Sequence, residues 1–97
     1  MRSNPKPRKN PSKPNNQAFG TVLARLRRSR KISQEALAFE SDLTREFISL
    51  LERGQRSPTL DTQLALCKAL SVGLDEMAAL VISEIKRLTT DASSTRP

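Results

Sequence analysis

The chain contains no histidine, no tryptophan and no tyrosine, and a single cysteine, Cys67. Without histidine, no pairing of a nucleophile with an imidazole base can form. One cysteine cannot close a disulfide within the chain, and a zinc site of the Cys/His type has too few ligands. A lone thiol fits a reducing cytoplasm. Long apolar runs are also missing. The longest, Met77 to Ile82, is far too short to span a bilayer. The basic N-terminus is followed by no apolar segment, so it does not read as a signal peptide. There is no glycine-rich phosphate loop, and the acidic residues are scattered over helix surfaces. Nothing in the pattern points to an enzyme, a metal, another cofactor or a membrane-spanning segment.

What is abundant is positive charge. The 97 residues carry 17 basic and 10 acidic side chains, a formal charge of +7 and a pI near 10.5. That balance favours a polyanionic partner, with nucleic acid first and an acidic membrane surface second. The charge is uneven. Residues 1–16 hold five basic residues, four prolines and no acid, with Met1 as the only other apolar side chain. Such a segment cannot drive burial and is expected to be a disordered arm. Arg2, Lys6, Arg8, Lys9 and Lys13 are its candidate DNA contacts; the plain alternative is a solubilising tail. The rest of the chain has enough apolar residues for one small domain, marginally stable alone.

That domain reads as all-α with five helices. Phe19, Val22, Leu23 and Leu26 give one buried stripe to a first helix over 17–30. Ser33 is a good N-cap for a second, 34–40, and Thr44 for a third, 45–53, which Gly54 terminates. The intervening Ser41-Asp42-Leu43 is a turn of helix-turn-helix length. Thr59 caps a fourth helix over 60–70, with Leu60, Leu64, Leu66, Cys67 and Leu70 as its apolar side. A fifth runs over 74–88, with the stripe Met77, Val81, Ile85 and Leu88 flanked by Ala78 and Ile82, and residues 89–97 form a frayed tail. On the third helix Phe47, Ile48 and Leu51 fall on the side that needs a core, and Arg45, Glu46, Ser49 and Arg53 on the other. A polar face of that kind fits a DNA major groove, where Arg bonds guanine and Glu accepts from cytosine. A solvated face on an ordinary helical hairpin is the other reading of the same pattern.

The residues Ser-Gln-Glu-x-Leu-Ala (33–38), Leu43-Thr44, Ile48-Ser49, Glu52-Arg53-Gly54, Ser57-Pro58-Thr59-Leu60, Ala69-Leu70-Ser71-Val72 and Leu74-Asp75-Glu76-Met77 resemble the phage-repressor and Cro type of helix-turn-helix, the Xre-like regulators. The resemblance spans roughly residues 18–78 and implies a lambda-repressor-like fold. Phe47 is similar to an aromatic frequent in one subset, which includes the controllers of restriction–modification systems. The resemblance implies DNA backbone contacts from Gln34, and an ion pair between Arg27 and Glu52 joining the first helix to the third. It departs from the family at Asp42, where glycine is usual because the turn needs a positive φ, and at Gln63, which is usually apolar. Thr44 and Arg56 are further candidate phosphate contacts.

The fifth helix is more apolar than a small core requires, and a two-fold self-contact through Val81, Ile82, Ile85 and Leu88 would cover the excess. The expected function is a dimeric, sequence-specific transcriptional regulator on an approximately two-fold operator of double-stranded DNA. The alternative is an antitoxin that masks a toxin and controls its own operon. Candidate protein partners are accordingly a toxin or RNA polymerase.

Overall fold

The computed structural model describes residues 13–94, which form five α-helices: α1 Pro14–Ser29, α2 Gln34–Ser41, α3 Arg45–Glu52, α4 Leu60–Leu70 and α5 Leu74–Ser94. Arg2, Lys6, Arg8 and Lys9 lie outside the described residues. Helix α1 starts at Pro14, three residues before the predicted Gln17, so residues 14–16 are helical and not part of an arm. Proline suits the first turn of a helix, where its missing N–H would have had no partner. Lys13 sits in extended backbone at the N-cap. Helix α5 likewise passes the predicted end at Leu88 and runs on through Ser94; the Thr89 hydroxyl donates back to the carbonyls of Ile85 and Lys86, one turn earlier.

The central hairpin is fixed by caps. The Ser33 hydroxyl accepts from Ala36 N–H at 3.0 Å and the Thr44 hydroxyl from Phe47 N–H at 3.1 Å. Each satisfies a first-turn donor that would otherwise lack a partner. Ser41 belongs to α2 rather than to the turn: it is buried, and its hydroxyl donates to the Leu37 carbonyl. The turn therefore narrows to Asp42 and Leu43. Asp42 adopts φ 60°, ψ 42°, the left-handed conformation for which the family uses glycine. Asp tolerates it better than most side chains do.

The core is built from Val22 and Leu23 of α1, Leu37 of α2, Ile48 and Leu51 of α3, Leu66 and Leu70 of α4 and Met77 of α5, all with almost no exposure. Phe47 packs against this cluster at its edge, as does Leu43. Cys67 is a small core residue, and burial pushes its thiol pKa up. Two helix contacts position the reader. Where α1 crosses α3, a Cβ on Gly20 would lie 2.4 Å from the Leu51 carbonyl oxygen and 2.6 Å from that of Glu52. Only glycine permits that approach. On its other side α1 packs along α5, the most extensive helix–helix contact in the fold.

The apolar stripes of α4 and α5 are only partly inside. Leu60 and Leu64 are exposed, because α4 turns Leu66, Cys67 and Leu70 to the core. Gln63 is half-buried and donates to the Pro58 carbonyl at 3.3 Å, so its amide tethers the loop. Of the four residues assigned to a dimer contact, Val81 packs on this chain's own core. Ile85 and Leu88 are half-buried, and Ile82, 52% exposed, is the one that stands open.

Candidate nucleic-acid interface

Helix α3 presents the polar face the sequence predicts. Thr44, Arg45, Glu46 and Arg53 are exposed, Ser49 is half-buried beside them, and Ile48 and Leu51 are inside. Arg53 is the C-cap rather than a residue of the helix, and its Nε donates back to the Ser49 carbonyl at 3.4 Å. Its guanidinium thus starts from the helix end, where a cation is favourably placed. Glu46 stands in the first turn, where the helix dipole favours a negative charge. Gly54, at φ 74°, ends the helix, and the chain turns into the loop carrying exposed Arg56.

One hydrogen-bonded chain holds the reader's first residue. The Arg27 guanidinium grips the Glu52 carboxylate through two bonds, Nε to Oε2 at 2.6 Å and Nη2 to Oε1 at 3.1 Å. The Arg27 Nη1 donates to the Ile32 carbonyl at 2.9 Å, tying the start of the hairpin to the same hub. Both side chains are nearly buried, 12% and 6% exposed. The hydrogen bond to Glu52 raises the Arg27 pKa against the opposing effect of burial, so the charge stays on. Glu52 Oε1 accepts a third bond, from Gln34 Nε2 at 2.9 Å. That fixes which end of the Gln34 amide points away, and its Oε1 accepts from Arg45 Nη1 at 3.2 Å. The family resemblance implies the Arg27–Glu52 pair and a phosphate contact from Gln34, and the helix face marks Arg45 as a base contact. The structure links all four.

Both ends of the Gln34 amide are therefore engaged within the protein. What α2 offers a phosphate here is chiefly the open backbone N–H groups of its first turn. Arg27, Ser33, Gln34, Glu35 and Arg45 line a shallow cleft of about 340 Å³ between the N-termini of α2 and α3. Arg45 and the positive helix ends favour an anion there, while Arg27 is already paired with Glu52 and Glu35 adds an opposing charge. Among the described residues no group of three or more His, Cys, Asp or Glu side chains is placed to hold a metal, and no helix is long and apolar enough to cross a membrane.

Two features escaped the sequence reading. One is Gly20, whose need for glycine shows only when α3 lies across it. The other is Glu84, a buried carboxylate on α5 with Arg25 and Arg87 around it. Its signal was the spacing Met77, Val81, Glu84, Leu88, which follows the same stripe as the apolar residues.

The profile of the Helix-turn-helix family matches residues 23–77 of this chain. The control protein C.BamHI of Bacillus amyloliquefaciens is 47% identical over 55 residues, covering 56% of this chain and 68% of that protein. The restriction-modification controller protein C.AhdI from Aeromonas hydrophila superposes with a TM-score of 0.63 at 40% identity, over 65% of this chain and 96% of its own. The controller C.Esp1396I, solved as a tetramer on its natural 35 base-pair operator, superposes with a TM-score of 0.68 at 30% identity, over 73% of this chain and 93% of its own.

Proposed function

This chain belongs to the helix-turn-helix family, and from that premise we propose that it is a dimeric, sequence-specific transcriptional regulator of the restriction–modification controller type. The observation that carries the reading is the exposed, capped face of α3, with Arg45 aimed by Gln34 and Glu52. A side chain already held by a buried anchor loses less freedom on meeting a base than a free arginine would. Arg45, Glu46 and Ser49 read base edges. Arg53 reaches a base or a phosphate from the helix end. Thr44, Arg56 and the first turn of α2 hold phosphates, which set register without specifying sequence. Lys13 leads into the α1 N-terminus, and the basic residues before it add phosphate contacts of their own.

A dimer places two such readers in successive major grooves, about 34 Å apart, on an operator of approximate two-fold symmetry. The named relatives support the controller over an antitoxin, since they are controllers of restriction–modification systems and one is solved on an operator. Selection of binding sites from random duplexes tests the proposal. It should return paired, inverted half-sites. Recovery of no enriched sequence, with uniform binding to all duplexes, would leave only non-specific charge attraction.

A further inference from the structure

The cleft between the N-termini of α2 and α3 brings together two opposite charges that do not pair. Glu35 stands in the first turn of α2, Arg45 opens α3, and both line the cleft. The Arg45 guanidinium nevertheless bonds the neutral amide oxygen of Gln34, at 3.2 Å, and not the Glu35 carboxylate. Among the described residues that carboxylate has no hydrogen bond or ion pair, and its side chain is exposed. Arg27, the other cation of the cleft, is already bound to Glu52. With that pair cancelling, the side-chain charge facing the cleft is Arg45 against Glu35, close to zero. Of the first-turn N–H groups of α2, that of Ala36 is taken by the Ser33 hydroxyl and that of Leu37 by the Ser33 carbonyl, which leaves those of Gln34 and Glu35 for a phosphate. A carboxylate there favours the helix end, yet it repels the anion that the same end attracts.

We propose that Glu35 is a specificity-determining residue, whose unpaired carboxylate keeps the phosphates of non-operator DNA from capturing Arg45. The inference rests on the operator reading above. Binding to non-operator DNA comes almost entirely from phosphates. Away from the operator no base edge engages Arg45, and its guanidinium lies in the cleft against Gln34. To reach it there a phosphate must come up to Glu35, which opposes the approach. At the operator Arg45 turns out to a base edge, and a phosphate needs only the N–H groups at the mouth of the cleft. Glu35 therefore penalises the wrong complex more than the right one, which is how a repulsive group yields specificity. Its side chain is exposed, so salt screens the repulsion and the effect on affinity is roughly three- to fivefold.

The test is equilibrium binding to the selected operator and to a random duplex, at one fixed salt concentration, for Glu35→Gln, Arg45→Ala and the double variant. Glu35→Gln keeps the shape of an exposed, unpaired side chain, so the fold stands. It should bind the random duplex roughly three- to fivefold more tightly than wild type, and the operator less than about twofold more tightly. In the Arg45→Ala background that gap should close, with Glu35→Gln helping both duplexes equally. The gain on random duplex should fade as salt rises. Equal gains on both duplexes with Arg45 in place would make Glu35 a general phosphate repellent and overturn the proposal. So would no gain on random duplex, or a gap that persists without Arg45. A wild type that prefers no sequence sinks the operator reading itself.

Discussion

Removing the Glu52 carboxylate should separate two roles that one hub performs. In Glu52→Ala the Arg27 guanidinium, 12% exposed, keeps its charge and loses both bonds to its partner. Breaking a buried pair from one side costs about 3–5 kcal/mol. A domain of this size has roughly 5–15 kcal/mol in total, so the variant should sit near the limit of folding. With a urea m-value of about 2 kcal/mol/M, the midpoint falls by about 1.5–2.5 M. Arg27→Met with Glu52→Met removes both charges and restores an apolar contact, so stability should return to within about 1 kcal/mol of wild type. DNA binding should not return with it. Gln34 loses the acceptor that orients its amide, Arg45 loses its guide, and affinity for the selected operator should stay about tenfold weak, or about 1.4 kcal/mol. Urea titration and equilibrium binding at one fixed salt concentration measure the two quantities on the same preparations. A double variant that is stable and binds like wild type would show that the network supports the fold alone. An unchanged urea midpoint in Glu52→Ala would show that the pair does not hold the fold.

Arg45→Ala should cost about 1–3 kcal/mol on the selected operator and relax preference at one base pair, with little change on random duplex; equal losses on both would assign Arg45 to phosphate. Gly20→Ala drives a methyl into the Leu51 and Glu52 carbonyls. It should cost at least about 1–3 kcal/mol by thermal or urea unfolding, and a neutral result would mean that α1 and α3 separate easily. Acid should weaken the α1–α5 seam. The hydrogen bonds from Arg87 hold the Glu84 carboxyl below its ordinary pKa, with burial opposing and Arg25 assisting. Its stabilising contribution is therefore present above the ordinary glutamate range and is lost as pH falls through the lowered folded value. Glu84→Gln should show a shallower loss of stability below about pH 4.5 than wild type; parallel acid profiles would remove Glu84 from the account.

The helices were legible because their signals are local. Ser33, Thr44 and Thr59 sit one residue before α2, α3 and α4 and cap each of them. Asp42 was legible as a strained turn residue because the positive φ belongs to that turn whichever side chain occupies it. The Arg27–Glu52 pair came from family resemblance, since no spacing rule joins residues 25 apart. What stayed hidden depends on how helices lie across one another. Gly20 reads as a weak point in α1 until α3 is placed on it. Glu84 reads as a surface charge until α1 covers it. Leu60 and Leu64 read as core because a leucine stripe looks the same whether or not a neighbour meets it. The boundaries of α1 and α5 slipped because proline at a helix start and threonines bonding back along the last turns both imitate helix breakers.

The seam between α1 and α5 joins the two ends of the folded region, and this orders events during synthesis. While α5 is still being made, the face of α1 that it covers has no partner. At about 5–20 residues per second, the 21 residues of α5 take roughly 1–4 s to add. During that interval a nascent chain is a substrate for proteases and chaperones, and a transcript cut short before α5 yields a product the cell can clear.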